Sequence, residues 1–173
     1  MVDWGDYEVY VPPLWGLPSE MTRADARVAY NDKMAHRLER IEMLKTLARL
    51  NGLSMEEDPE SVDQFGKWLV DEVQEDPEEP ERLLPIWYSV VFDTGLYVGD
   101  LIIDRNPNLG WTLHKRGKKN VNHQKHVIMG YPTDSRYSVD PDGYVAGLAH
   151  RAISGKTKAE SPLWDYIVIA SED

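Results

Sequence analysis

Pro85–Trp111 reads PIWYSVVFDTGLYVGDLIIDRNPNLGW, and the way this stretch folds decides the rest of the chain. It is the only long segment that is apolar almost all the way round. It nevertheless carries Asp93, Asp100 and Asp104, together with Gly95 and Gly99 in its middle. Trp87, Val91, Val98 and Leu101 or Ile102 recur at helical intervals, with Val90, Tyr97 and Ile103 on other sides. The spacing predicts a helix from Arg82–Pro85 to about Arg105, covered on more than one face. Each glycine costs a helix about 1 kcal/mol relative to alanine. The expected compensation is close approach by another backbone or a bulky ring. Asp93 and Asp100 share a face and Asp104 follows four residues later, so the three read as a solvent stripe. A shared divalent ion is the weaker reading, because about 10 Å of helix rise separates Asp93 from Asp100.

An acidic segment leads into this helix. Between Met55 and Glu81 stand twelve acids and one base, Lys67, so this segment holds the whole net charge of −11. Glu72, Glu75, Asp76, Glu78 and Glu79 form its candidate binding face. Such a field attracts and steers a basic protein; the blander reading is a solvated helix end and linker. Broad nucleic-acid binding through this face would be repulsive. Asp58-Pro59-Glu60 starts a helix with Val62, Phe65, Leu69 and Val73 as its buried stripe and Trp68 alongside. Pro77 and Pro80 block its continuation, leaving residues 75–81 as an acidic linker within one domain.

Further upstream, Thr22 and Asp25 have the spacing of a capping box. Leu38, Ile41, Leu44 and Leu47–Leu50 continue an amphipathic helix to the stop at Asn51-Gly52, with room for a kink near Asn31–Ala35. Residues 1–20 hold Trp4, Tyr7, Tyr10 and Trp15 among prolines, which forbid a helix. The aromatics predict an extended arm lying on the body, with a docking peptide as the alternative.

Downstream, Trp111–His114 alternates, KRGKKN turns, and HQKHVIMGY supplies a second strand, so a β-hairpin with a basic tip is expected. YPTDSRYSVDPDG reads as a loop, and Asp142-Gly143 marks either a hairpin turn or a helix start. Tyr144–Ile153 has helical spacing. Ser161-Pro162 resembles a cap, and the LWDYIVIA that follows is open between helix and strand, because Ile167, Val168 and Ile169 are β-branched.

A chain of 173 residues fits one domain, spanning 1–173. The absence of cysteine excludes disulfides, thiolate metal sites and cysteine nucleophiles, and suits a reducing cytosol. The acidic N-terminus lacks the basic region of a signal peptide, and no uncharged apolar stretch reaches about 18 residues. These features predict a soluble, cytoplasmic protein with no membrane partner; its oligomeric state stays open.

Catalytic motifs are lacking. His114, His123 and His126 come nearest to a metal cluster, but residues three apart on a strand face opposite sides, so they read as surface histidines and no metal is expected. No serine sits in a GxSxG elbow, and SGKTK at Ser154 lacks the upstream glycine of a phosphate-binding loop. No cofactor is implied.

The order MTRADARVAYNDKMAHRLERIEMLKTL, DPESVDQFGKWL and DTGLYVGDLIIDRNPNLGWTL looks like a group of uncharacterised bacterial cytosolic proteins. They share a GxYxGDxI helix followed by a tryptophan-led strand, and the likeness covers roughly residues 20–130. Small acidic α+β proteins of this kind are similar to immunity proteins of polymorphic-toxin systems. The resemblance implies Gly95, Tyr97, Gly99, Asp100 and Trp111 as framework positions and no catalytic residue.

The expected fold is α+β: N-terminal helices and a central buried helix packed on a small antiparallel sheet. The leading functional expectation is a non-enzymatic protein-binding module, of the immunity type, taking a basic toxin on its acidic face. The alternative is a small ligand-binding or enzymatic domain with a pocket between central helix and hairpin, lined by Tyr97, Asp100, Trp111 and His114.

Overall fold

The computed structural model describes residues 1–156 and 163–172. The fold is α+β, and the described residues form five α-helices and one two-stranded antiparallel sheet. The helices are α1 (Arg23–Leu50), α2 (Pro59–Glu72), α3 (Pro85–Arg105), α4 (Pro141–Ile153) and α5 (Leu163–Ser171). Strands β1 (Gly110–Leu113) and β2 (His126–Met129) pair with Trp111 opposite Ile128. The hairpin is therefore where the alternation places it.

Local chemistry sets the helix boundaries. Thr22 accepts from the Asp25 amide and Asp58 from the Ser61 amide, each satisfying a free donor of the first turn. Asp140 does the same for Gly143, so Asp142-Gly143 is a helix start. α1 runs unbroken through Asn31–Ala35, a stretch that contains neither proline nor glycine to interrupt it. Leu38, expected on its buried stripe, is 65% exposed. The LWDYIVIA segment is helical, with Leu163, Ile167 and Ala170 buried; its proposed cap at Ser161-Pro162 lies outside the described residues.

α3 is the hub, packed against α1, α4 and α5. Its apolar window is 72% buried, so its length and composition, although sufficient to cross a membrane, serve a core helix. Both glycines sit at close approaches. A Cβ at Gly99 would strike the Trp111 indole, and one at Gly95 would strike Asp142 at the start of α4. One contiguous apolar core joins these elements, with Trp87, Phe65, Leu96, Ile128 and Leu148 fully buried within it.

Candidate binding surface

The interior of the fold is charged along one line. Lys33, Arg37 and Arg40 occupy i, i+4 and i+7 of α1 and so share a face. Each meets an acid from elsewhere: Lys33 pairs with Asp142, Arg37 with Asp100 at 3.3 Å, and Arg40 with Asp93. The solvent-stripe reading therefore fails for Asp93, which is wholly buried, and holds only for Asp104. A bare carboxylate in an apolar core is too costly to persist, and Arg40 supplies two charge-assisted bonds at 2.9 and 2.6 Å. The Tyr7 hydroxyl donates to the same carboxylate at 2.5 Å.

Tyr7 carries the N-terminal arm with it. Arg40 also donates to the Glu8 carbonyl at 2.8 Å, the Tyr10 amide donates to Ser89 Oγ at 2.8 Å, and the Tyr10 hydroxyl bonds Asp32 at 2.5 Å. The Tyr10 ring stacks on Phe92 at 4.5 Å, and Trp4 meets Trp87 edge-on at 5.1 Å. The first half of the arm thus lies on the body, as its aromatics predict. Burial, reinforced by Asp93, holds the Tyr7 phenol far above its ordinary range. Burial also raises Asp93, partly offset by Arg40 and Tyr7.

The second ionic centre joins three elements. Lys33, 1% exposed, reaches Asp142 beneath the Phe92 ring, and His126 Nε2 lies 2.9 Å from the same carboxylate. Burial lowers the Lys33 amine despite Asp142. Burial and then Lys33 lower the His126 imidazole. Burial alone would raise Asp142, but Lys33 and His126 outweigh it and hold the acid well below its ordinary 3.8. A carboxyl depressed by folding stabilises the protein above its unfolded pKa, and that contribution is lost as pH falls through the folded value. Denaturation of the Asp142→Asn variant is expected to show a shallower loss of stability than wild type between pH 5 and about pH 2. Equal acid slopes would remove Asp142 from this role.

Around and beyond Tyr10 the arm stays tethered, with Pro18 bonded to Gln124, but turns several apolar side chains outward. Trp15 is 78% exposed, and Val9, Val11 and Leu17 are exposed with it. Between arm and α3 runs an apolar groove of ≈ 330 Å³, lined by Val9, Pro12, Trp15, Pro85 and Tyr88 and floored by Phe92. The acidic linker is an ordered turn that leads through Leu83 to Pro85, which lines the groove. Glu75 and Leu83 form an antiparallel bridge, Asp76 accepts from the Glu78 amide, and Glu75 accepts from the Glu81 amide. Glu75, Glu78 and Glu79 are exposed, with Arg82 paired to Glu79; Glu72 and Asp76 are half-buried, and Glu72 faces the N-terminal amine. Tyr88 joins turn and groove: its ring lines the groove, and its hydroxyl accepts from the Leu83 amide at 3.3 Å.

The residues expected to line a pocket between α3 and the hairpin are dispersed. Asp100 and Trp111 meet, the indole Nε1 donating to Asp100 at 2.9 Å. Tyr97 is buried and donates to the Glu56 carbonyl at 2.9 Å, between α1 and α2. His114 lines a separate cavity near the start of α1. The three hairpin histidines are not ordinary surface residues: His114 and His123 are buried, and His126 is part of the Asp142 centre. Among the described residues no group of acids and histidines is arranged to hold a metal ion. The signal missed in the sequence is the cationic stripe of Lys33, Arg37 and Arg40, whose period matches the helix and whose partners lie far along the chain. No family model, curated protein or solved structure matches this chain.

Proposed function

We propose that this protein is a non-enzymatic binding module that takes a basic protein segment on the surface formed by the arm groove and the acidic turn. The observation that carries the reading is Tyr88, which lines the exposed apolar groove and bonds the Leu83 amide where the acidic turn ends. An apolar groove beside charge of one sign suits a partner that offers a large apolar side chain flanked by lysine or arginine. The carboxylates speed and orient the encounter, and Trp15 and Tyr88 anchor it. The buried charges take no part, since Arg40, Asp93, Lys33 and Asp142 are engaged with one another. An immunity-type protein that neutralises a basic toxin in the cytoplasm is the form of this reading that the sequence resemblance implies. A toxin gene beside this one would support it.

A lysine-rich peptide with a central tryptophan is the direct probe, followed by amide and indole NMR. Saturable shifts are expected at Trp15 and through residues 75–83, weakening as salt rises. Trp15→Ala and the triple change of Glu75, Glu78 and Glu79 to glutamine should each weaken binding by about tenfold or more. Shifts spread over the chain without saturation, or unaltered in both variants, would count against the surface.

A further inference from the structure

Although the chain carries a net charge of −11, three of its cations gather around one cavity. Arg23, Arg27 and Lys115 line a space of ≈ 170 Å³ between the start of α1 and the end of the hairpin. Among the described residues none of the three is ion-paired with a carboxylate. His114 lines the same cavity; it is 1% exposed, and both its ring nitrogens are buried without a hydrogen-bond partner. A buried imidazole with neither nitrogen satisfied is an uncompensated cost, and such groups in native folds call for a reason. The remaining wall is built. His123 is buried, and Gln124 donates to the carbonyls of Pro18 and Met21 at 2.7 Å, fixing the approach to α1 against the hairpin.

We propose that this cavity binds a phosphate group, either as the free ion or as the end of a phosphomonoester. Two guanidinium groups and an ammonium outnumber the charge of a carboxylate and match a dianion with several acceptor oxygens. The first turn of α1, to which Arg23 belongs, adds the positive end of a long helix. The opposing acid of that turn, Asp25, accepts from the Thr22 hydroxyl at 2.7 Å and is not among the lining residues. The volume falls below the ~300–1,000 Å³ of pockets that enclose whole drug-sized ligands, which suits a terminal group rather than an engulfed metabolite. His114 supplies one N–H as the neutral ring and two when protonated. Burial, then His123 and Arg116, hold the imidazole below its ordinary 6.5, and an anion beside it opposes all three. Binding of an anion that stays dianionic therefore takes up a proton and tightens as pH falls through the histidine range.

The test follows the His114 ring by NMR while inorganic phosphate, glycerol phosphate, sulfate and acetate are added at constant ionic strength. Saturable movement of the His114 resonances with phosphate is expected, with acetate much weaker. An equal response to glycerol phosphate indicates a site for the group itself, and a tighter one indicates an ester. Sulfate stays dianionic across the range, so its affinity should rise as pH is lowered toward 6. Arg23→Gln and Arg27→Gln, both at exposed positions, should each weaken phosphate by roughly tenfold while leaving the unfolding transition unchanged. No saturable movement at His114, or the same affinity in the doubly substituted protein, would overturn the site.

Discussion

Replacing Asp93 with alanine is expected to destabilise the fold by roughly 3–5 kcal/mol, the largest effect of any single change discussed, because it strands a buried guanidinium. Arg40 is 5% exposed and gives Asp93 two bonds, so its charge has no route to water when the acid is removed. Tyr7 loses its acceptor in the same step, and with it the arm loses its deepest attachment. Urea denaturation of the variant should show the drop, and hydrogen exchange should rise through residues 4–10. Because a buried pair is worth little against a well-packed apolar substitute, Arg40→Met combined with Asp93→Leu should recover most of the loss. An Asp93→Ala variant as stable as wild type would mean that the pair carries no structural weight.

Alanine at Gly95 is expected to cost about 1–3 kcal/mol, against a gain of about 1 kcal/mol from helix propensity alone. The added methyl would lie 3.0 Å from the Asp142 Cα as well as against its carboxylate. A side-chain rotation cannot relieve a backbone contact, so α4 must move away from α3. That movement also pulls Asp142 from Lys33, so loss of packing and loss of the ion pair reinforce one another. Thermal unfolding of the purified variant measures the change, and a variant more stable than wild type would contradict the packing account. The groove lies on other residues and should still bind its peptide in this variant wherever the protein is folded.

What the sequence made legible was local. Thr22, Asp58 and the Asn51-Gly52 stop act on amides a few residues away, and the hairpin follows from alternation around a short turn. That Gly95 and Gly99 mark close approaches could be argued from helix propensity; that Asp142 and Trp111 are the approaching groups could not, because both come from later elements. Asp93 shows the limit most sharply. On an apolar helix a lone aspartate reads as solvent-facing until its partner is known, and Arg40 lies 53 residues earlier. The spacing of Lys33, Arg37 and Arg40 along one face of α1 carried the missing signal, although not the identity of their partners. α5 was ambiguous for a different reason: Ile167–Ile169 favour strand intrinsically, and burial of Leu163, Ile167 and Ala170 as a helical stripe overrides that preference.

The candidate surface was half legible. Charge counting located the acidic run but not its ordered turn, and the arm's aromatics predicted contact with the body without separating Tyr7 and Tyr10, which hold it there, from Trp15, which stands clear. The groove needs both the arm and α3, elements some seventy residues apart, as the 79-residue separation of Tyr10 and Ser89 illustrates.

The most direct measurement of the binding account is capture from an extract of the native host at low salt, with wild type, Trp15→Ala and the Glu75/Glu78/Glu79→Gln variant immobilised side by side and eluted in rising salt. The account predicts one basic protein that wild type retains, that elutes as salt screens the carboxylates, and that both variants fail to hold. Retention of the same proteins by all three, or of none by wild type, would contradict it.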